Sequence, residues 1–486
     1  MENLPDQDYI INVGPGGTFH KSGKYQTIPS EIDAIFQNFE NVQAKKIAVY
    51  FHGGLVNEKR GLETVRKVQP YLSEAGTVPV CFVWETGLLE TIGTNLSKIS
   101  ETKLFNKMVR ALLKKLSGRL GFDSVDGRGI AGVELSDAEI ELELAKAHPF
   151  REYETNVPGG NGRSAVNLET LAGSGVYLEV ELRKEFTILV DKDEEFKEAI
   201  QENKLTIDGT GRSTGARGFI SIATFIAHLA KIAVRVISRF ISKRDHDFYP
   251  TIVEEVLRQF YIAELGAWVW KSMKDKSSEM WKSNEGREGL NQFAGRYFLD
   301  RLAVYKEKYP EVTIDLIGHS AGSIAICNLL GYTASLQKSF SYNHIIFLAP
   351  ACRIELFKKE ILYYPARYRD VRIFTMSDAY ECEDRMIPYF YTHSLLYLIS
   401  GILEDEGDSY DAYILGLQRH ITSARPYDTD DLKDIQNYLG EADSFRVSYS
   451  KSQDGTSSWL FTNSISHSDF DDDPDTLASV QYFLKQ

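Results

Sequence analysis

Cysteine is scarce in this chain of 486 residues, which has only Cys81, Cys327, Cys352 and Cys382. They are widely spaced and form no C-x-x-C pair, so neither a zinc site nor a disulfide framework is indicated. Each lies in or beside an apolar segment, as is typical of buried thiols in a reducing compartment. The acidic run 469–475 lacks the glycine and the terminal glutamate of a calcium loop and is interpreted as the start of a helix. We therefore expect no metal and no cofactor.

Positive charge is also in deficit. The chain has 55 basic and 69 acidic residues, a net charge of −14. A surface of this sign should repel nucleic acid and anionic membranes unless positive charge is gathered locally. The start "MENLPDQDYIINVGPGG" lacks a basic segment followed by an apolar run, so no secretory signal is predicted. We expect a cytoplasmic protein without a nucleic-acid partner.

Core-forming sequence is plentiful. Hydrophobic residues make up 43% of the chain and aromatic residues 12%, so most of it should fold. Short β-branched runs alternate with amphipathic stretches of helix length, such as 59–75 and 288–308. This alternation predicts an α/β fold with a mostly parallel central sheet flanked by helices. The predicted strands are 45–54, 77–87, 312–320, 344–351 and 371–378.

Two of these strands are separated by more than two hundred residues. The whole chain of 486 residues is longer than one hydrophobic core usually supports, which favours one large decorated domain or two domains. We predict a large, mainly helical cap insertion at 88–287, between two parts of the core at 1–87 and 288–486. Within the insertion, 176–182 and 186–192 are predicted as a strand pair.

One short motif carries chemistry. The stretch "IDLIGHSAGSIAICNLL", residues 314–330, passes from an apolar strand through G-x-S-x-G into a helix-like run. A serine at the centre of this pentapeptide needs small neighbours, because the strand turns sharply and the nucleophile adopts a strained backbone. The strand before it and the helix after it are the context that this mechanism requires. Ser320 is therefore predicted to be a nucleophile and not simply a small residue at a turn.

A serine hydroxyl needs a histidine to take its proton and an acid to orient that histidine. His467 lies in the loop-like "TNSISHSDFDDDPDTLASVQYFL", ahead of a helix predicted to close the chain, which suits a general base. His319 is expected to pack or to line the pocket, because neighbours on a sharp turn point in different directions. We expect His344 and His393 to be structural and His420 to lie at a solvated surface.

The acid is ambiguous. Asp378 ends the run "VRIFTMSD" at the carboxyl edge of a predicted strand, where catalytic groups of open α/β sheets collect. Glu381, Glu383 and Asp384 follow within six residues. Asp378 is ranked first because it is nearest the strand, and Asp384 is the alternative acid.

An oxyanion hole requires main-chain N–H groups aimed at the developing charge. "YFHGGLVNE" provides a glycine-rich turn directly after a strand. Gly53 and Gly54 allow the backbone to approach a substrate closely, and Ala321, the residue after the nucleophile, supplies a second N–H. His52 is expected to pin this loop.

Together "FHGG", "GHSAG", the post-strand Asp378 and the late "SHSDFDDD" resemble the α/β-hydrolase superfamily, specifically its lipase and esterase members. Serine, acid and histidine occur in the family's chain order. The resemblance covers roughly 40–90 and 288–486 and implies a site at the carboxyl edge of the sheet. "HGGL" has one glycine fewer than the family's HGGG form, so either Gly54 or Leu55 could donate the N–H from this loop.

Two stretches of the insertion, 103–120 and 218–244, are predicted as basic amphipathic helices. The uncharged part 219–230 is too short to span a membrane. The helices either pack on the core as a cap with solvated basic residues or form a lid that docks on an anionic lipid surface. The second alternative implies peripheral membrane contact and a lipid substrate.

The predicted function is hydrolysis of a carboxylic ester, of a lipid or another acyl substrate, by Ser320, His467 and Asp378 through an acyl-enzyme. Two alternatives stay open. One is hydrolysis of a thioester or peptide bond at the same site, and the other is a non-catalytic binding module on the same fold.

Overall fold

The computed structural model describes most of the chain, and its residues form two compact units. The described residues are 5–54, 56–84, 87–120, 134–155, 175–202, 220–265, 267–334, 336, 340–404, 411–422, 426–441 and 445–486. The first unit comprises Met1–Glu90, Trp268–Asp384 and Tyr413–Gln486, and the second comprises Thr91–Ala267 and Arg385–Ala412. These bounds differ from the predicted insertion, because 268–287 belongs with the first unit and 385–412 with the second.

The first unit is built on a seven-stranded sheet in which all paired strands run parallel, in the order β1-β3-β2-β4-β5-β6-β7. The predicted α/β class and the predicted parallel strands are confirmed. The two edge strands, β1 and β7, were not predicted, since each has only four residues. The strands are β1 Ile10–Val13, β2 Lys46–Phe51, β3 Val78–Trp84, β4 Thr313–His319, β5 Tyr342–Leu348, β6 Tyr368–Met376 and β7 Val447–Ser450.

Helices make up most of the remaining regular structure. Those predicted at 59–75 and 288–308 correspond to α2 and α13, and the helix predicted to close the chain is α20. The α-helices are α1 Pro29–Asn41, α2 Glu58–Glu74, α3 Leu88–Ser100, α4 Lys103–Leu120, α5 Asp137–Leu144, α6 Arg151–Thr155, α7 Gly175–Asp191, α8 Glu194–Glu202, α9 Ile222–Ile241, α10 Phe248–Val256, α11 Ile262–Leu265, α12 Ala267–Glu279, α13 Ala294–Lys308, α14 Gly322–Thr333, α15 Ile354–Phe357, α16 Asp378–Glu381, α17 Leu395–Leu398, α18 Gln418–Ile421, α19 Asp430–Gly440 and α20 Pro474–Lys485. Three π-helices cover Leu257–Tyr261, Lys358–Leu362 and Ile399–Leu403.

Both faces of the sheet are covered, which explains why its central strands are continuously apolar. On one face, Tyr50 of β2 lies in a buried cluster with Val65 of α2 and with residues of α20. On the other face, Phe51 stacks on Phe82 of β3 with ring centroids 4.8 Å apart. Phe82 in turn meets Phe298 of α13 at 5.3 Å. Successive side chains of a strand point to opposite faces, so both sets must be apolar.

The strand order creates a crevice at the carboxyl ends of β2 and β4. From β2 the chain crosses through α2 to β3 on one side, whereas from β4 it continues through α14 to β5 on the other side. Connections that diverge in this way leave an opening between two adjacent strands, where open α/β sheets bind ligands. The loop after β2 begins at His52, and the turn after β4 contains Ser320.

The second unit is helical in its described part, and one prediction for this region was wrong. Residues 176–192, predicted as a strand pair, lie almost entirely within the single helix α7. The alternating start "VYLEVEL" resembles a strand, but apolar side chains recur every fourth residue and so align along one face of a helix. This buried stripe consists of Leu178, Leu182, Phe186 and Val190.

The apolar faces of the two basic amphipathic helices are buried. In α4, Leu104, Met108, Leu112 and Leu116 are completely buried. In α9, the buried apolar residues include Phe225, Ile226, Leu229, Val236 and Phe240. The described structure leaves little of these apolar faces exposed for insertion into a membrane. Peripheral membrane contact through these helices stays a prediction. No helix in the described part of the chain is long and apolar enough to cross a bilayer.

The basic residues of these helices are largely paired within the same unit. On α4, the Lys107 ammonium lies 2.7 Å from the Asp193 carboxylate, and Arg110 and Lys114 likewise have acidic partners. On α9, Arg239 is fully buried and bonded to glutamates, whereas Lys231 is exposed. The sequence pattern therefore did not distinguish a basic surface from an internal ion-pair network.

Candidate active site

Ser320 sits on a sharp turn between β4 and α14. Its φ angle is +49°, a left-handed conformation that costs an L-residue on the order of 1–3 kcal/mol. The surrounding chain holds it there: its N–H donates to the Leu348 carbonyl at 2.8 Å, and its own carbonyl accepts from the Ala351 N–H at 3.1 Å. This strained serine after a strand and before a helix has the backbone geometry of a nucleophile elbow.

The two glycines of "GHSAG" are required by close packing. A Cβ on Gly322 would lie 2.3 Å from the main-chain oxygen of Phe51. A Cβ on Gly318 would lie 2.7 Å from Cδ1 of Ile326 and 2.8 Å from the carbonyl carbon of Gly322. Because main-chain atoms cannot move aside, α14 can lie this close to β2 only without a side chain at position 322.

The structure brings Ser320 and His467 together across 147 residues of sequence. Nε2 of His467 lies 2.7 Å from Oγ of Ser320, and both residues are almost completely buried. Burial, reinforced by the nearby charge of His319, lowers the pKa of His467 to about 3. The imidazole is therefore neutral near pH 7 and can accept the serine proton through Nε2.

Asp384 is the carboxylate in hydrogen-bond contact with His467. Its Oδ2 accepts the main-chain N–H of His467 at 2.8 Å. Burial raises the pKa of Asp384 to about 6, although this N–H lowers it in part. Nδ1 of His467 is buried and has no hydrogen-bond partner among the described residues. Asp384 thus bonds the main chain of His467 and not the ring nitrogen that a triad acid would bind.

The first-ranked acid, Asp378, is not the carboxylate brought to His467. It begins α16, and its N–H donates to Oε1 of Gln418 at 2.8 Å. Its carboxylate pairs with the Arg419 guanidinium at 3.3 Å. The short helix Asp378–Glu381 separates Asp378 from the residues that follow. The carboxylate of Asp384, beyond this helix, accepts the main-chain N–H of His467. The structure therefore brings the alternative acid, Asp384, to the main chain of His467, and which acid serves the histidine stays a prediction.

The predicted oxyanion loop adopts a close turn. Gly53 packs against Ser320, since a Cβ on the glycine would lie 3.3 Å from Cβ of the serine. Gly54 has φ +63°, and a Cβ there would lie 1.9 Å from Nε1 of Trp84, so only glycine fits. The Gly54 N–H points at Nδ1 of His52 at 2.9 Å. Leu55 lies outside the described residues.

These contacts favour Ala321 and Gly53 as oxyanion donors. Among the described residues, neither of their main-chain N–H groups forms a hydrogen bond. His52 also faces the N–H of Trp84, at 3.0 Å from Nε2, and burial lowers its pKa to about 3. A neutral imidazole accepts at one nitrogen only, so its tautomer decides which N–H it holds. His52 thus pins the loop, as expected.

Sequence reasoning missed a second buried group beside the serine. Nδ1 of His319 pairs with the Asp471 carboxylate at 2.9 Å, and the hydroxyl of Tyr50 donates to the same carboxylate at 3.1 Å. Nε2 of His319 lies 2.9 Å from the carbonyl oxygen of His467. Asp471 lies four residues after His467 within an acidic run, and nothing in the sequence distinguishes it from its neighbours. The start of α20 in that run is confirmed, since Asp473 caps it.

The remaining histidine candidates lie away from this centre. His344 pairs with Asp315 at 3.0 Å within the sheet, and His393 is buried, in agreement with structural roles. The expectation for His420 was wrong: it is fully buried, and its Nδ1 accepts the Ile414 N–H at 2.9 Å.

Comparison of the chain with protein-family profiles, with curated proteins and with solved structures finds no match.

Proposed function

We propose that the protein is a serine hydrolase of the α/β-hydrolase type that cleaves a carboxylic ester. The observation that carries this proposal is the 2.7 Å contact between Ser320 Oγ and His467 Nε2 at a turn where the serine has positive φ. A small residue at an ordinary turn has no need of a buried, neutral histidine on its hydroxyl. The position of the pair at the crevice between β2 and β4 supports the same conclusion.

In the proposed reaction, Ser320 Oγ attacks the ester carbonyl while its proton passes to His467 Nε2. The N–H groups of Ala321 and Gly53 bind the resulting oxyanion. His467 then gives the proton to the departing alkoxide, which leaves an acyl-enzyme and an alcohol. Water, deprotonated by His467, attacks the acyl carbon, releases the acid and restores Ser320.

Asp384 is proposed as the acid that stabilises the imidazolium formed during each step. It already bonds the main chain of His467, and a change in its side-chain torsions could bring an oxygen to the unpartnered Nδ1. Because its pKa is about 6, it is ionised and able to act at neutral pH.

The second unit gives little support for a specific lipid substrate. A lid on anionic lipid was suggested by basic residues on 218–244, but Arg239 is buried. Lys231 and Lys243 are the exposed cations of this region. We therefore keep the proposal to acyl esters, with lipid esters as one member of the class.

A fluorophosphonate probe tests the assignment, because it reacts covalently with activated serines. Wild-type protein should be labelled and should hydrolyse a short-chain chromogenic ester. Ser320→Ala should lose labelling and lower kcat by about 10⁴-fold or more. Ser341→Ala, which changes an exposed serine of the same unit, should behave as wild type.

Absence of labelling in folded wild-type protein would favour a non-catalytic module, and undiminished labelling of Ser320→Ala would place the nucleophile elsewhere. A labelled enzyme that cleaves matched thioester or peptide substrates faster than the ester would reassign the bond.

A further inference from the structure

We propose that His319, the residue before the nucleophile, is a positioning residue that is held as a cation by Asp471 and itself holds the main chain of the base, His467. This inference rests on the proposed function and assigns a role to a histidine that the reaction scheme does not use.

The first step is the protonation state of His319. Its two ring nitrogens face two acceptors: the Asp471 carboxylate at 2.9 Å and the carbonyl oxygen of His467 at 2.9 Å. Neither acceptor can donate a hydrogen bond when Asp471 is ionised, so both contacts are satisfied only if both nitrogens carry protons. The geometry therefore points to an imidazolium.

The surroundings favour this ion pair. Burial alone would lower the pKa of His319, but the Asp471 carboxylate outweighs burial and raises it above its ordinary value. Burial would raise the pKa of Asp471, but His319 and the Tyr50 hydroxyl hold it low. The charged or titratable groups that face His319 are Asp471, Asp472, His52 and His467.

The second step is what this cation does for the base. His467 is held at both ends of its own main chain: Asp384 accepts its N–H at 2.8 Å, and His319 donates to its carbonyl. The loop around His467 has no regular secondary structure between Leu460 and Pro474. These two bonds therefore fix where the ring meets Ser320 Oγ, and a misplacement of about 1 Å can cost on the order of 10²-fold in rate.

The third step is electrostatic. The rings of His319 and His467 lie 5.5 Å apart, and the positive charge of His319 disfavours a second proton on the base. His319 therefore keeps His467 neutral in the resting state. The same charge opposes the imidazolium that forms when the serine proton is accepted, so stabilisation of that imidazolium falls to the proposed acid, Asp384.

The sheet contains a matched control. His344 of β5 pairs with Asp315 at 3.0 Å, and both residues are as deeply buried as His319 and Asp471. Asp315 precedes His319 by four positions on β4 and so lies toward the opposite end of that strand. In each pair, removal of the histidine side chain leaves the aspartate with another donor, Asn343 or Tyr50 respectively. Comparison of the two histidines therefore separates the effect of removing a buried histidine that contacts an aspartate from the effect of removing one beside His467.

The experiment compares His319→Leu with His344→Leu on the chromogenic ester, with active protein counted by fluorophosphonate titration. His319→Leu should lower kcat by about 10²-fold with KM nearly unchanged, whereas His344→Leu should stay within about threefold of wild type. His319→Gln should recover part of the loss, because its amide can still donate to the His467 carbonyl. Wild-type kcat in His319→Leu would overturn the positioning role.

A spectroscopic measurement tests the cation independently of activity. With ¹⁵N-labelled histidine, both ring nitrogens of His319 should be protonated in the wild type at pH 8, and this signature should vanish in Asp471→Asn. A wild-type His319 that is neutral at pH 8 would overturn the proposal, even if His319→Leu fails to fold. Failure of the proposed function is recognised separately, because wild-type Ser320 would then not react with the probe.

Discussion

The buried ion-pair cluster of the second unit differs from the groups Asp384 and His467 of the first unit in what sets their pKa values. In the second unit, the fully buried Arg239 lies 2.7 Å from Glu254 and 3.1 Å from Glu255. Burial would raise the pKa of Glu254, but His246 and Arg239 outweigh it and lower the pKa to about 2. At Asp384 and His467 of the first unit, unlike at the adjacent pair His319 and Asp471, burial prevails: it raises the pKa of Asp384 to about 6 and lowers that of His467 to about 3.

The difference separates a structural network from a reactive one. A buried charge that is paired is held in its ionised form by its partners, and removal of one partner is costly because it leaves the other charge buried and unpaired. A buried group whose pKa is displaced toward the neutral form lacks such compensation, and displaced pKa values of this kind cluster at functional sites. The contrast supports the proposed site in the first unit and a structural role for the described ion-pair cluster of the second.

The largest expected effect distinguishes the two acids. Asp384→Asn should lower kcat by about 10⁴-fold, because an amide cannot stabilise the imidazolium of His467. Asp378→Asn should stay within a few-fold, since its carboxylate pairs with Arg419. Wild-type kcat/KM should fall as pH drops below about 6, where Asp384 takes up its proton. Steady-state rates across pH check this, and the opposite order of the two variants would restore Asp378 as the acid.

The next effect concerns stability of the second unit. Arg239→Gln should destabilise the protein by about 3–5 kcal/mol, because two glutamates lose a buried partner. Lys231→Gln, the same substitution eight residues earlier on α9, should change the free energy of unfolding by less than about 0.5 kcal/mol, since Lys231 is exposed. Urea denaturation measures both. Equal effects would mean that Arg239 is not buried as described.

A third prediction follows from the sign of the Asp384 shift. Its folded-state pKa of about 6 lies above the ordinary 3.8, so the stability contributed by the protonated form is full below about pH 4 and is lost as pH rises through 6. Asp384→Asn has no proton to lose there. The free energy of unfolding of Asp384→Asn relative to wild type should therefore increase as pH rises from 4 to 7.5. The increase should be no more than about 2 kcal/mol, because the Asp384 side chain is partly exposed.

Thermal or urea unfolding at the two pH values measures this gain. A stability difference between wild type and Asp384→Asn that does not change with pH would show that the carboxyl group is not desolvated. Glu254 provides the contrast, because its folded-state pKa of about 2 is depressed. Its contribution is present above about pH 4.5 and is lost as pH falls through 2.

The smallest effect tests backbone strain at Ser320. Ser320→Gly should be more stable than Ser320→Ala by about 1 kcal/mol, because only glycine adopts φ +49° without strain. Both variants should be inactive, so activity does not enter the comparison. If Ser320→Ala is equally stable in calorimetry, the serine does not occupy a strained turn.

Prediction from sequence succeeded where the signal was local. Continuous apolar runs identified five of the described strands, because a parallel sheet covered on both faces needs apolar side chains on both. It failed for β1 and β7, which are too short to show a period, and for α7, where alternation over the first few residues concealed the fourfold spacing of its buried stripe.

Within the candidate site, the sequence alone determined the elbow around Ser320, because a strand, two obligatory glycines and a helix are contiguous there. It also indicated His467, through a loop that precedes the last helix. Only the tertiary structure decided that Asp384 and not Asp378 contacts the main chain of His467, and that the paired His319 and Asp471 lie beside it. Those contacts join residues that are 83 to 152 positions apart in the sequence. The path of the intervening chain, and not residue type, determines which carboxylate contacts His467.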